Sequence, residues 1–335
     1  MSITLKELAK AAGVSEATAS LAMNDRPGVS PSTKASIRLL AEKLGYIPSQ
    51  SAQALAMKKT GLIGMIIPNI SNTNYAELVQ ITENCLKEKG YRMILATSRN
   101  DPAYECDMIK QFISFRVEGV IIYPSIKKNP DPSYLNLLKE NNIPFVYLGG
   151  YYRGIEAPVS MNDYFGATLQ LSNLLLDGGG RRICLVSGCK TIVSNSFRHH
   201  AVASAMAERG LCFGEEDHFE LTSTDYETAY EVFSGRMDGD FKYDSVIAVN
   251  TFVALAIYNT AIEHHFKVPE DISIVSCDAV IPQKACRINL TSLSLNYDIM
   301  VREAIRLLFQ QLNGEAVRIA RMTVKAELMM GDSTR

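Results

Sequence analysis

The sequence contains no apolar run close to the roughly 20 residues needed to cross a bilayer. Its first ten residues, Met1 to Lys10, carry charges where a secretory signal would need an apolar stretch. A cytoplasmic protein without a membrane partner is the expectation. The seven cysteines are odd in number and include no CxxC pair, which argues against a disulfide framework and for reduced, buried thiols. The five histidines (His199, His200, His218, His264 and His265) form neither an HExxH pattern nor a metal-spaced set with cysteine. Gly178-Gly179-Gly180 follows a helical stretch and precedes an apolar one, the reverse of the order in a phosphate loop, so it reads as a helix stop. No metal, cofactor or catalytic role is expected.

What is present is ordinary for a globular chain: 47% hydrophobic and 21% charged residues, at a length of 335 that suits two or three domains. The formal net charge of −2 is unevenly divided. Residues 1–60 hold eight basic and four acidic side chains, a net +4, so the rest of the chain carries −6. A basic head on an acidic body suggests a polyanion partner for the head alone.

The first sixty residues read as short helices. Leu5, Leu8, Ala9 and Ala12 share one helical face, and Gly13-Val14 makes a turn. Ser15 can cap a second helix with Ala19, Ala22 and Met23 inward, running to about Asn24. Ser30-Pro31 opens a third, striped by Ile37, Leu40, Ala41 and Leu44 and stopped by Gly45. From Gly61 onward, apolar runs alternate with amphipathic stretches. The runs are Leu62–Pro68, Arg92–Thr97, Gly119–Tyr123, Phe145–Gly149, Ile183–Gly188, Ser245–Asn250 and Ile272–Cys277. Strands separated by helices predict parallel sheets, and about 275 residues of this pattern predict two similar subdomains. Ligands of such sheets bind beyond the carboxyl ends of the strands. The polar candidates there are Asn72, Asn74, Tyr123, Ser194, Arg198, Asn250 and Asp278.

The sequence resembles the lactose-repressor (LacI/GalR) family over essentially its whole length. The resemblance rests on TLKELAKAAGVSEATASLAMN (Thr4–Asn24), GYIPSQSAQALAMKKTGLIGMIIPNISN (Gly45–Asn72), VPEDISIVSCD (Val268–Asp278) and LTSL (Leu290–Leu293). It implies an all-α helix-turn-helix head over residues 1–46 and a hinge helix and linker over 47–60. A periplasmic-binding-protein-like α/β core of two parallel-sheet subdomains, which binds the effector and dimerises, would fill 61–335. Recognition helices place their N-terminal side chains on base edges, here Glu16, Ala17 and Leu21. Glu16 could accept from cytosine N4, and Ala17 and Leu21 could pack on thymine methyls. Thr4, Ser15, Thr18, Ser20, Asn24 and Ser30 are the phosphate candidates, which position without reading sequence. Ala52 and Leu55 fall in the hinge, and the family's minor-groove wedge corresponds to Leu55.

For the core, the resemblance implies effector contacts at Asn72, Asn74, Tyr75, Tyr123, Ser194, Arg198, Asn250 and Asp278. An Arg, an Asn and an Asp in one cleft suit hydroxyl groups. Blander roles exist for some: Leu55 could pack on its own core, and Arg198 could form an internal salt bridge. Gly149 stands where many sugar-responsive members have aspartate, Thr224 replaces an aromatic platform, and Leu295 replaces a polar residue in the last crossover. These departures leave room for a ligand larger or less hydroxylated than a monosaccharide. The expected partners are a pseudo-palindromic double-stranded operator, a small polar effector, and a second copy of the chain, with a tetramer left open. A nucleoside-like ligand, a partner protein as co-effector, or a solute-binding protein built on the same core are the alternatives. The last would need a secretory signal and have no use for residues 1–60.

Overall fold

The computed structural model describes residues 3–47, 59–70, 73–125, 131–239, 241–279, 288–315, 317 and 321–335. Ala52 and Leu55 of the hinge, and Asn72, lie outside the described residues. The chain divides into two compact units, Met1–Gly61 and Leu62–Arg335.

The first unit is three helices: α1 (Leu5–Ala11), α2 (Glu16–Met23) and α3 (Pro31–Leu44). Each start is fixed by a hydroxyl that accepts a bond from an otherwise orphaned amide: Thr4 from Glu7, Ser15 from Thr18, Ser30 from Thr33. Thr4 and Glu7 complete a capping box, and Pro31 sits in the first turn of α3, where it loses no hydrogen bond. Gly45 ends α3 at φ +66°, a left-handed turn that glycine adopts without penalty. Leu8, Ala22, Ile37 and Ala41 form the small core where the three helices meet. Leu44, expected on the apolar stripe, is 36% exposed and stands outside this core.

The second unit holds twelve strands in two six-stranded sheets among the described residues. The first sheet is built from β1 (Leu62–Ile67), β2 (Arg92–Thr97), β3 (Gly119–Ile122), β4 (Phe145–Leu148), β5 (Val159–Asn162) and β11 (Arg321–Val324). Its order is β11-β5-β4-β3-β1-β2, all parallel. The second contains β6 (Ile183–Ser187), β7 (His218–Glu220), β8 (Ser245–Ala248), β9 (Ser273–Ser276), β10 (Thr291–Ser294) and β12 (Glu327–Met329), ordered β12-β10-β9-β8-β6-β7. Only β12 runs antiparallel to its neighbour. The central strands read as continuous apolar runs because helices cover both faces of a parallel sheet. Met65 of β1 and Ile121 of β3 pack in one cluster with α4 (Thr73–Glu88), while Ile66 and Ile122 of the same strands pack on the other face with α5 (Pro102–Ser114).

The chain crosses between the sheets three times: after β5 into α7 (Tyr164–Asp177), after β10 into α11 (Tyr297–Leu312), and after β11 into β12. The short helix α6 (Asn136–Glu140) precedes β4. Leu295 lies in the second crossover, not the last as expected, because β11 and β12 give no clear apolar signal. It packs against the cores of both subdomains, an apolar tie at the joint.

Candidate effector cleft and DNA-binding head

In the first sheet β2 and β3 lie on opposite sides of β1; in the second, β7 and β8 lie on opposite sides of β6. Each arrangement opens a crevice at the carboxyl ends of the strands, where the chain switches direction. Asn74 and Tyr75 begin α4 after β1, and Tyr123 follows β3. Ser194 and Arg198 belong to α8 (Val193–Glu208) after β6. Asn250 caps α10 (Thr251–Glu263) after β8, and Asp278 follows β9. All seven line one cavity of about 110 Å³ between the two sheets.

Their side chains are not equally free. Asp278 is buried and accepts from Thr251 N at 2.8 Å, Thr251 Oγ1 at 2.7 Å and Asn74 Nδ2 at 2.8 Å. The last bond spans the cleft from one subdomain to the other. Burial pushes the Asp278 carboxyl above its ordinary range, and the bonds from Thr251 and Asn74 oppose this. Asn250 is committed to structure: Oδ1 accepts from Val253 N at 2.9 Å, and Nδ2 donates to the Thr224 carbonyl at 2.8 Å. Thr224, lacking an aromatic ring, contributes that carbonyl and a place in the lining. Tyr123 meets Tyr75 edge to face, with ring centroids 4.9 Å apart. It occupies the space that a side chain at position 149 would need. A Cβ on Gly149, whose φ is +73°, would fall 2.2 Å from the Tyr123 ring. Burial keeps both phenols protonated.

Arg198 differs from the rest. It is 7% exposed, donates Nη1 to Asn195 Oδ1 at 3.0 Å and lies over the Tyr164 ring at 4.6 Å. Its Nε is buried without a partner among the described residues, and no carboxylate pairs with it there. The same holds for Oδ1 of Asn162, 1% exposed at the end of β5. One subdomain thus holds an unused donor and the other an unused acceptor, each on a residue that lines the cavity. Asn162, Tyr164, Asn195 and Tyr297 line the cavity but were not anticipated. The rule that found the others, a polar residue at the carboxyl end of a strand, applies to Asn162 once β5 is known.

In the head, Glu16 and Ala17 stand exposed in the first turn of α2, while Leu21 is half-buried against Gly28. Thr4, Ser15 and Ser30 are exposed at helix N-termini, where amides and dipole favour an anion. Asn24 Nδ2 bonds the Ser20 carbonyl at 2.9 Å, so Asn24 closes α2. Asp25 pairs with Lys34 at 2.9 Å and Arg38 at 3.2 Å, and its hydrogen bond to Lys34 holds its carboxyl below the ordinary range.

A three-helix head of this form, joined to a two-sheet core with a polar crevice at its switch points, defines the class of DNA-binding transcriptional regulators with a ligand-binding core. The family described as bacterial regulatory proteins, lacI family, matches residues 4–49, and a periplasmic binding protein-like domain matches residues 173–334. Catabolite control protein A of Priestia megaterium is 30% identical over 95% of both chains. The structure described as the lac repressor dimer bound to operator and an anti-inducer has a TM-score of 0.88 at 19% identity, covering 99% of each chain. The structure of the transcriptional regulator CelR in complex with cellobiose has a TM-score of 0.73 at 24% identity, again covering 99% of each. The chain belongs to the lacI family of bacterial regulatory proteins.

Proposed function

We propose that this regulator is a cytoplasmic, homodimeric repressor whose hold on a pseudo-palindromic operator is set by a small polyhydroxylated effector in the cleft, and that it catalyses no reaction. The observation that carries the effector reading is the pair of unsatisfied groups, Arg198 Nε and Asn162 Oδ1, on opposite subdomains. A buried polar group without a partner costs about 1–3 kcal/mol. A hydroxyl, both donor and acceptor, can relieve either group, and a carbohydrate supplies several. The CelR structure holds cellobiose, which agrees in ligand class. Asn74, Tyr75, Tyr123, Ser194 and Asp278 complete the proposed contacts, with Asn72 added from the resemblance. Asn250 serves by holding the loop rather than by touching ligand.

On the DNA side, Glu16, Ala17 and Leu21 meet base edges, and Thr4, Ser15, Thr18, Ser20, Asn24 and Ser30 serve the backbone. Ala52 and Leu55 enter the minor groove. An effector that touches both subdomains favours one degree of closure, and only such a difference in affinity can shift the equilibrium. Calorimetry with neutral mono- and disaccharides, on wild type and Arg198→Ala, tests the reading. The variant should lose roughly 1.5–3 kcal/mol of effector affinity, the value of a charge-assisted bond. It should still bind operator but no longer respond. Unchanged effector affinity in Arg198→Ala would move the site elsewhere.

A further inference from the structure

A cavity of about 610 Å³ adjoins the cleft and shares Tyr123 and Ser194 with it. On the first subdomain its wall is two segments, residues 123–125 after β3 and residues 149–153 after β4. Both hang on one carboxyl that lies outside the lining. Glu105, in the first turn of α5, is fully buried. Its Oε2 accepts from Tyr152 Oη at 2.9 Å, and its Oε1 from Tyr134 Oη at 3.0 Å. The Tyr152 oxygen in turn accepts from Ser125 N at 2.6 Å, so one phenol joins both wall segments to Glu105.

Among the described residues no lysine, arginine or histidine pairs with this carboxyl. The titratable groups that face it are Tyr134, Tyr147 and Tyr152, and burial together with the Glu105 charge keeps all three phenols protonated. The elements packed on α5 are β1, β2, α6 and the turn Ser133–Leu135. Their charged side chains and those of α5 (Arg92, Asp107, Lys110, Lys139 and Glu140) are exposed, as are Arg153 and Glu156 after β4. Asp101 is occupied as the cap of α5. Glu263 gives the contrast. It too accepts from a phenol, that of Tyr230 on α9 (Tyr226–Met237), but at the surface, where water supports the charge. A buried carboxylate without a cation is costly. Burial pushes the Glu105 carboxyl up to about 7, against the bonds from Tyr152, Tyr134 and the Ser125 amide.

We propose that Glu105 is a pH-sensitive latch on this wall: protonated, it holds the two segments in place; ionised, it drives them off α5 to hydrate its charge. In the packed wall the carboxyl favours its proton; in an opened wall, where water reaches it, it returns toward its ordinary value of 4.5. The packed wall therefore binds more protons between about pH 4.5 and about pH 7. Its stability is full below that window and is lost as pH rises through it. The latch goes beyond the effector reading and works without a ligand.

Hydrogen exchange by mass spectrometry on the full chain tests it, with wild type and Glu105→Gln compared at each pH from about 5 to about 8. Glutamine has nearly the shape of the protonated acid, offers both an acceptor oxygen and donor hydrogens, and cannot ionise. Taking the ratio of the two proteins at each pH cancels the other titrations and the chemical pH dependence of exchange. In peptides containing Ser125 and Tyr152, the wild-type rate relative to the variant should rise by up to roughly tenfold between about pH 6 and about pH 8. Peptides from α10 should show no such rise. In Tyr152→Phe, which keeps the ring and cuts the link to Ser125, the Ser125 peptide should exchange fast at every pH. A ratio that does not change with pH would overturn the proposal, because Glu105 would then be a structural acceptor only. An equal rise in α10 would overturn it too, since the whole core would then be opening.

Discussion

Among single residues, the pair His199 and His218 shows most clearly how protonation is built into the fold. Their Nδ1 atoms lie 3.0 Å apart, and His218 Nε2 is 2.8 Å from Ser187 Oγ. Ser187 gives its proton to the Gly188 carbonyl, so it must accept from His218 Nε2. That leaves His218 Nδ1 as a lone-pair acceptor and His199 Nδ1 as the donor. A proton added to His218 destroys this chain, and burial lowers its pKa from 6.5 to about 4. His199 is lowered in the same sense, again chiefly by burial. The unfolded chain therefore binds more protons between about pH 6.5 and 4, and stability is lost as pH falls through that window. At about 1.4 kcal/mol per pKa unit, the loss from pH 7 to pH 4 should be on the order of 2–3 kcal/mol. Urea melts of the wild type and His218→Gln check this: the variant should be less stable at pH 7 but show a flatter profile. A variant profile as steep as wild type would show that other groups carry the titration.

For single elements, the turn after β4 and the hinge make different demands. Gly149 combines a left-handed φ with the close approach of Tyr123, so Gly149→Ala brings both strain and a clash. We expect a loss of about 1–3 kcal/mol in denaturant melts. Tyr123 should also be displaced, which would appear as weaker effector binding. The hinge enters only through sequence. Leu55→Ala should weaken operator binding by a few kcal/mol, the scale of the bend its wedge maintains, and leave effector binding to the core unchanged. Operator titrations by fluorescence anisotropy decide it, and wild-type affinity would remove the wedge assignment.

How far elements could be read from sequence followed their chemistry. β1, β3, β4 and β6 were legible to within a residue, because interior parallel strands are unbroken apolar runs, and the edge strand β2 was legible at both ends. The strands that escaped are of two kinds. β7, β11 and β12 lie at sheet edges and are short. β5 and β10 are buried but carry polar side chains whose partners are remote in sequence. Ser160 donates to the Met300 carbonyl, and Thr291 Oγ1 meets Thr334 Oγ1. Missing β5 also hid Asn162. The seven described cleft candidates were found because their place after a strand is a local property. Whether a side chain was free or already spent as a cap, as for Asn250, depended on contacts that sequence spacing does not show.

In the whole molecule, two activities belong to separate units, a basic three-helix head and a two-sheet core, and the proposed switch joins them through closure of the core. Asn74 and Asp278 already bridge the cleft. In the proposed switch a ligand hydroxyl replaces that bond or adds to it, and occupancy thereby reaches both subdomains. A head of net +4 gives one copy few phosphate contacts, so the account requires two heads on two half-sites. The most direct test of this central claim is selection of binding sites from random duplex DNA with the full chain, followed by affinity titrations across salt. The account predicts a two-fold symmetric consensus with half-sites about one helical turn apart. It also predicts a log–log salt slope of roughly −0.9 per phosphate neutralised, and much weaker binding to an isolated half-site. An unsymmetrical consensus, or a half-site bound as tightly as the palindrome, would contradict it.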